Sequence, residues 1–205
     1  MLYIFDEIDN IEDGFPESIK TLLSAERFEK IKRLRSPQKK KASAIAYLLL
    51  RLAISETYGI NEAVEFSYGD KGKPHLKSYP HIHFNLSHSN EVAACVISNN
   101  EVGVDVQYIK PVNDSLARRV LTESEYAGFK SSKMPDEYFC EIWTVKESYL
   151  KQTGKGITTE LRDVAADEIT DKTIYRSNDY FCCVCGPKMK VKFIRRKDFE
   201  QLYDR

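Results

Sequence analysis

The stretch IHFNLSHSNEVAACVISNNEVGVDV, residues 82–106, decides the fold of this chain. It contains three short runs rich in valine and other apolar residues, and residues that favour turns, such as Asn99 and Asn100, separate the runs. Runs of this length and spacing predict β-strands. Together with a similar run at residues 64–68, they predict an antiparallel meander.

Helices are predicted on the N-terminal side of these strands. Residues 2–5 predict a first strand, and apolar positions between Ser18 and Arg35 follow a helical period. Ser36 followed by Pro37 is a typical helix start, and Gly59 is a typical helix end, so a second helix is expected between them.

The C-terminal half repeats this plan. Thr122-Glu-Ser-Glu125 is a capping box, and Asp136 to Gln152 predicts a strong helix that Gly154 ends. Further strands are predicted at residues 175–176, 180–185 and 189–193. The chain is therefore expected to be α/β (α+β), with an N-terminal subdomain at 1–100 and a C-terminal subdomain at 101–205, each with helices on a small antiparallel sheet. No linker rich in Gly, Ser or Pro separates the halves, so intimate packing is expected.

The composition excludes several classes of protein. With 42% hydrophobic and 30% charged residues, the 205-residue chain is ordinary globular protein, and its 31 basic and 31 acidic side chains cancel. The apolar stretch Ala42–Ile54 has 13 residues, short of the roughly 20 that cross a bilayer. The N-terminus lacks the charge pattern of a signal peptide. We therefore expect a cytoplasmic protein without membrane contact.

Two motifs suggest metal sites only weakly. Cys182 and Cys185 form a CxxC without a second pair, in a segment that also predicts a strand with small apolar side chains on both faces. Five cysteines at irregular spacing do not form a disulfide framework. His81 and His83 would share one face of a strand, but two imidazoles do not complete a metal site, so surface positions are expected.

Two pairs of residues have a spacing that suits phosphoryl chemistry. Asp105 and Gln107 would point to the same face of a strand and offer oxygen ligands, although an Asp at a strand end is more often a turn or cap residue. Trp143, Glu147 and Lys151 recur along one face of the predicted helix. Glu147 and Lys151 could be a simple surface pair. They could also serve as a metal ligand or base and as a cation for a leaving phosphate.

Anion contacts are predicted in the N-terminal half. Asn85-Leu-Ser-His-Ser89 stands where a strand meets a turn and could form a phosphate cradle or simply cap the turn. Gly69–Pro74 is a glycine-rich basic turn with the wrong spacing for a P-loop. Residues 27–41 hold eight basic residues against one acid, which favours a solvated helical face over a localised anion site.

In combination and order, five of these motifs resemble the 4'-phosphopantetheinyl transferase superfamily, in its larger, single-chain Sfp-type class. They are Gly72-Lys-Pro, Phe84-Asn-Leu-Ser-His-Ser89, Gly103-Val-Asp-Val, Trp143-Thr-Val-Lys-Glu-Ser-Tyr-Leu-Lys151 and Gly154-Lys-Gly156. The resemblance implies a pseudo-twofold fold of two similar halves, with coenzyme A and Mg²⁺ in the cleft between them. It further implies transfer of the phosphopantetheine arm to a serine of an acyl or peptidyl carrier protein, with release of adenosine 3',5'-bisphosphate.

The resemblance also implies roles for individual residues. Asp105, Gln107 and Glu147 take the positions of the metal ligands, and the catalytic positions fall on Asp105, Glu147 and Lys151. The coenzyme A contacts fall on the following residues: Arg27, Lys30, Ser43, Lys73, Ser87, His88 and Lys151, with Lys41 as an alternative to Ser43. Whether Glu147 or a metal-bound water is the base stays open.

One departure and one surface complete the prediction. Many members of the family carry a carboxylate where this chain has Gln107, so we expect activity with a raised metal requirement. The alternative is a coenzyme A or nucleotide-binding scaffold that has lost the chemistry. Carrier docking is expected at Val112–Phe129, where Arg118 and Arg119 could meet an acidic helix. No nucleic-acid motif is visible. If one chain contains both halves of the cleft, a monomer is sufficient.

Overall fold

The computed structural model describes residues 1–154 and 161–202. The strands are β1 Leu2–Phe5, β2 Phe66–Tyr68, β3 Pro74–Leu76, β4 His83–Ser89, β5 Val92–Ser98, β6 Gly103–Tyr108, β7 Lys172–Arg176, β8 Tyr180–Cys185 and β9 Val191–Phe193. The helices are α1 Phe15–Ser18, α2 Ala25–Lys32, α3 Pro37–Tyr58, α4 Asp114–Val120, α5 Glu123–Ser131 and α6 Pro135–Thr153. In the glycine motif at 154–156, Lys155 and Gly156 lie outside the described residues.

The N-terminal half is a four-stranded sheet covered by α3. The strand order is β4-β5-β1-β9, and β1 runs antiparallel to β5 and parallel to β9. The hairpin between β4 and β5 turns at Asn90, which has a φ of 49°. The predicted meander is only partly correct, since β2 pairs with β3 in a separate hairpin and β6 belongs to another sheet.

The central helix α3 has the ends that the sequence predicted. The Ser36 side chain accepts a hydrogen bond from Lys39 N, Pro37 occupies the first turn, and Gly59 ends the helix at a φ of 70°. Every residue from Lys41 to Ser55 is buried, so the apolar stretch is the centre of the N-terminal core. No helix within residues 1–154 and 161–202 is long and apolar enough to cross a membrane.

The single helix predicted between Ser18 and Arg35 is wrong. The chain forms two short helical turns up to Leu22, then extends, and restarts as α2 at Ala25. Ser24 is the reason for the restart, because its extended backbone and its side-chain bond to Arg27 N form a new N-cap. Apolar spacing continued across this break, which is why periodicity alone missed it.

The C-terminal half is an antiparallel sheet of order β6-β8-β7, and α6 packs against it. Gly103 permits the close contact, since a Cβ at this position would lie 2.0 Å from Ser148 O and 2.3 Å from Gln152 N. The CxxC lies within β8, and Cys182 and Cys185 are buried free cysteines, as the strand interpretation predicted. The α/β class is thus confirmed, with one long helix against a small sheet in each half.

Side chains join the two halves along β4 and β6. Asn85 Oδ1, Ser87 Oγ and Ser89 Oγ accept hydrogen bonds at 3.0, 3.2 and 3.3 Å. The donors are the backbone N–H groups of Val104, Val106 and Tyr108. Here β4 side chains, rather than the β4 backbone, bond to the β6 backbone. The four-stranded and the three-stranded sheets are therefore in contact but remain separate sheets. The chain end then returns, with β9 beside β1 and Ile194, Phe199 and Leu202 in the N-terminal core.

Candidate active site

Asp105 is the centre of the site. It lies on β6 with 2% of its surface exposed, and both of its carboxylate oxygens accept hydrogen bonds. Oδ1 accepts from Ser87 Oγ at 2.8 Å and from Lys151 Nζ at 2.6 Å. Oδ2 accepts from Gln107 Nε2 at 2.9 Å. The buried charge is therefore neutralised by Lys151 and oriented by two neutral donors.

Helix α6 brings Lys151 and Glu147 to this strand. Lys151 Nζ also contacts Ser87 Oγ at 3.0 Å, so the three residues form a closed triangle. Glu147, one turn earlier, lines the neighbouring cleft. Burial and the negative charge of Asp105 raise the pKa of Glu147, and Lys151 opposes part of this increase. A carboxyl with a raised pKa is a stronger base than an ordinary one once it is ionised.

A cleft of about 830 Å³ opens above these residues, between β3 and β4 of one half and α4 and α6 of the other. Its floor and walls are both apolar and basic. They include Pro74, Leu86, Leu116, Val120, Trp143 and Leu150 among the apolar residues, and Lys71, Lys73, Arg118, Arg119, Lys151 and Arg162 among the basic ones. The cleft can take an elongated ligand that has both an uncharged and an anionic part.

A smaller basic pocket of about 330 Å³ adjoins the cleft, and the two share Gly72, Pro74 and Leu86. The lining contains these polar and charged residues: Arg27, Lys30, Lys39, Ser43 and His88. Desolvation and the positive charges of Lys151, Arg27 and Lys39 lower the pKa of His88, so its imidazole is neutral at neutral pH. The pocket has the chemistry of a phosphate site.

Arg27 is held in this pocket by α3. Its Nη2 donates to the backbone oxygen and to Oγ of Ser43, both at 2.9 Å, and the guanidinium lies 5.8 Å from the centre of the Tyr47 ring. Arg27 Nε is buried and has no hydrogen-bond partner among the residues that the structure describes. Lys30 Nζ lies 5.4 Å from the centre of the Tyr68 ring at the rim. The structure therefore brings Arg27, Lys30 and Ser43 together in one pocket.

The basic segment 27–41 does not behave as one surface. Lys39 joins the pocket lining, whereas Lys41 is buried elsewhere, with Nζ at 2.9 Å from Ile11 O and 3.2 Å from the Asp13 carboxylate. Lys32 is exposed and pairs with Glu29. Ser43 therefore lines the basic pocket, whereas Lys41, the alternative to Ser43, does not. The position of Lys41 on α3 directs its side chain to the loop that contains Ile11 and Asp13.

Two predicted cofactor contacts have protein partners instead. Lys73 Nζ donates to Glu101 Oε2 at 2.5 Å and to Gln152 O at 2.7 Å, where it caps the end of α6. Ser87 is buried and bonds to Asp105, Lys151 and Val106 N. Lys73 also lines the cleft, whereas Ser87 is buried against Asp105.

The histidine pair and the docking segment also have defined positions. His81 is exposed in a turn, and His83 Nδ1 lies 3.2 Å from Glu101, so the two do not form a site. In the docking segment, Arg118 pairs with Asp114 at 2.8 Å, and Arg118 and Arg119 are both exposed at the cleft wall.

Sequence reasoning missed three contributors. The first is Lys146 on α6, which is completely buried and pairs with Glu125 at 2.5 Å. In the sequence it resembles an ordinary surface lysine of a helix, so nothing there indicated its burial. Lys39 was not singled out from the basic segment, yet its spacing of four from Ser43 on one helix was a usable signal. Gly103 was quoted in a motif, but only the packing of α6 shows its purpose.

The donor set of the site fits a magnesium ion. Two carboxylates, Asp105 and Glu147, and the Gln107 amide supply hard oxygen ligands, and Mg²⁺ typically uses one or two carboxylates with waters and substrate phosphates. Within the described residues, no group of three or more His, Cys, Asp and Glu could hold a metal ion. Lys151 Nζ now lies against Asp105 Oδ1, so it would have to move when a cation binds there.

The two halves thus enclose a cleft and an adjoining basic pocket, with Glu147 and Lys151 in the cleft wall. The profile described as "4'-phosphopantetheinyl transferase superfamily" matches residues 101–190. A second profile, "4'-phosphopantetheinyl transferase, N-terminal", matches residues 12–100. The chain belongs to the 4'-phosphopantetheinyl transferase superfamily, which confirms the predicted enzyme family.

Individual relatives place the chain near the Sfp-type members. A 4'-phosphopantetheinyl transferase of Bacillus subtilis is 32% identical over 72% of this chain and 67% of that protein. 4'-Phosphopantetheinyl transferase Sfp of Bacillus subtilis strain 168 is 30% identical over 71% of this chain and 66% of that protein. The matched region thus spans about two thirds of these relatives' length. An alignment to the crystal structure of Thermotoga maritima holo-[acyl-carrier-protein] synthase covers 43% of this chain and 64% of that chain, with 20% identity and a TM-score of 0.30, too low to support an argument.

Proposed function

We propose that this chain transfers the 4'-phosphopantetheine group of coenzyme A to a serine of an acyl or peptidyl carrier protein, with Mg²⁺ as cofactor, and releases adenosine 3',5'-bisphosphate. The observation that carries the proposal is the Asp105–Ser87–Lys151 triangle, whose Lys151 lines, together with Glu147, the cleft that adjoins the basic pocket. Membership of the family supports it.

Binding of coenzyme A divides between the two cavities. The nucleotide phosphates would lie in the basic pocket, where Arg27, Lys30 and His88 offer donors. The uncharged pantetheine arm suits the apolar walls of the cleft, such as Trp143 and Leu150. The pyrophosphate then falls between the two, within reach of the Lys151 side chain.

The protein groups divide the chemistry among themselves. A magnesium ion held by Asp105 and Glu147, with Gln107 as a neutral third ligand, would supply positive charge across the pyrophosphate oxygens. Lys151 stabilises the developing charge on the leaving phosphate, because its ammonium is already held at the site by Ser87. Burial and the charge of Asp105 raise the pKa of Glu147 when no metal is bound, so a Glu147 that does not hold the ion is suited to accept the proton of the carrier serine. If Glu147 holds the ion, a metal-bound water would take the proton instead. One chain contains both halves of the cleft, so we expect a cytoplasmic monomer to be sufficient.

Mass spectrometry of an apo carrier protein tests the proposal. Incubation with this protein, coenzyme A and Mg²⁺ should add the mass of one phosphopantetheine arm to the carrier. Glu147→Ala should abolish the gain, and Glu141→Ala is the matched control, since Glu141 is exposed on the same helix. Coenzyme A binding without transfer to several carriers would refute the proposal and favour the scaffold alternative.

A further inference from the structure

A buried ion pair joins α6 to the junction of α4 and α5. Lys146 precedes Glu147 and has no exposed surface. Its Nζ donates to Val120 O at 2.8 Å, Glu125 Oε2 at 2.5 Å and Leu161 O at 3.1 Å. These three acceptors belong to the end of α4, the start of α5 and the segment that follows residue 160. One ammonium group thus connects α6 to three other segments.

The Glu125 carboxylate extends the connection. Oε2 also accepts from Thr122 N at 2.8 Å, as part of the capping box that starts α5, and Oε1 accepts from Ala166 N at 2.9 Å. Both charges are therefore fully used by hydrogen bonds of fixed direction. The α4–α5 junction cannot shift along α6 without breaking several of these bonds together.

Stability alone does not account for the pair. Both charged groups are removed from water, with side-chain exposures of 0% for Lys146 and 8% for Glu125, so the protein carries a desolvation cost at this position. Apolar residues of similar volume often stabilise a core as well as a buried ion pair does. What apolar residues cannot do is fix the direction of approach of neighbouring segments, because their contacts have no preferred angle.

The segment that the pair fixes forms one wall of the cleft. Leu116, Arg118, Arg119 and Val120 of α4 all line it, opposite Pro74 and Leu86 of the other half. The basic pocket expected to hold the nucleotide has no residue from α4 or α5. Movement of this wall should therefore alter the surface that meets an acidic protein partner without altering the nucleotide contacts.

We propose that Lys146 and Glu125 are positioning residues that hold α4 and its two arginines where they recognise the carrier protein, relative to Glu147. The inference rests on the proposed function. It assigns to this pair an effect on carrier affinity that is separate from the nucleotide contacts in the basic pocket and from the chemical step. Neither residue contacts the reacting atoms.

The charge-neutral double variant Lys146→Met/Glu125→Gln tests the inference. Both charges are removed together, so no uncompensated buried charge is left behind, and the glutamine Oε1 can still accept from Thr122 N or Ala166 N. Lys172→Met is the matched control, because Lys172 Nζ donates to Ala166 O and Ile169 O of the same region but not to α4 or α5. Glu125→Asp, which keeps the charge with a shorter reach, is a milder second variant.

Transfer kinetics at saturating coenzyme A provide the first readout. We expect the KM for the carrier to rise about tenfold in the double variant, within the range of coupling in one hydrogen-bond network. The kcat and the calorimetric Kd for adenosine 3',5'-bisphosphate, which occupies only the basic pocket, should stay within about twofold of wild type, and the control should match wild type throughout. An unchanged KM for the carrier, or a parallel loss of affinity for adenosine 3',5'-bisphosphate, would overturn the inference.

Hydrogen exchange provides a readout that does not depend on activity. Peptides from residues 112–131 should exchange faster in the double variant, while peptides from β6 at 103–108 should keep their protection. Failure of the wild-type protein to modify any carrier would refute the proposed function alone. Unchanged exchange in residues 112–131 would refute the positioning role, whatever the activity.

Discussion

Replacing Lys151 by methionine removes the charge that lies against Asp105 while keeping an apolar side chain of similar length. In the wild-type protein Nζ is 2.6 Å from Asp105 Oδ1, and the Asp105 side chain is only 3% exposed. Breaking a buried ion pair costs about 3–5 kcal/mol, and breaking an exposed pair costs about 0–1 kcal/mol. Because the Lys151 side chain is 29% exposed, we expect an intermediate loss of about 2–3 kcal/mol in the free energy of unfolding.

Thermal unfolding in the presence of a chelator measures this loss. For a chain of this size, 1 kcal/mol corresponds to roughly 2–4 °C, so the Tm should fall by about 4–12 °C. Lys192→Met is the matched control, since the Lys192–Glu56 pair is more exposed and should contribute less than about 1 kcal/mol. Added Mg²⁺ should restore part of the lost stability of the Lys151 variant, because a cation can then neutralise Asp105.

A clear result would contradict this reasoning. If the Lys151 variant and the control unfold at the same temperature in chelator, Lys151 does not compensate the Asp105 charge. If Mg²⁺ leaves the Tm of the variant unchanged, the oxygen donors around Asp105 do not form a cation site. Either result would remove the electrostatic basis of the proposed chemistry.

Three further predictions concern the same site. Glu147→Gln should lower kcat by about 10²–10⁴-fold, as expected for loss of a general base. The same variant should also be more stable than wild type at neutral pH. Because folding raises the pKa of Glu147, the free energy of unfolding of the wild type falls as the pH rises from 4.5 through the folded pKa. Urea unfolding should therefore show a more stable variant at pH 7 and equal stabilities at pH 4. Gly103→Ala should greatly reduce the yield of soluble, folded protein, since the new methyl group would meet the α6 backbone at Ser148 O. A variant with normal circular dichroism and Tm would contradict the close packing of α6 on β6. Gln107→Glu should lower the Mg²⁺ concentration needed for half-maximal transfer, and equal titration curves would show that the amide has no effect on the metal requirement.

Local features of the chain could be predicted from the sequence because their causes are local. Ser36, Pro37 and Gly59 define α3 by hydrogen bonds and backbone angles within a few residues. The spacing of Glu147 and Lys151 placed both on one side of α6 for the same reason. The prediction failed at Ser24, where a cap interrupts a periodic apolar pattern, since periodicity does not detect a change of backbone direction.

The site itself depends on contacts between distant parts of the chain. Lys151 contacts Asp105, 46 residues away in the sequence, and Ser87, 64 residues away. No local sequence feature near these residues predicts the contacts. The motif resemblance indicated which residues belong together, whereas the packing of α6 on β6 at Gly103 decides how they meet.

The sequence by itself thus determined the α/β class, the family and the main chemical groups. Only the tertiary structure decided that Lys73 caps α6, that Lys41 leaves the basic pocket, that β9 joins the first sheet and that Lys146 pairs with Glu125. The physical reason is the range of the interactions. Capping and periodicity act over a few residues, while the direction of a long lysine side chain is set by whichever buried acceptors the packed segments bring within its reach.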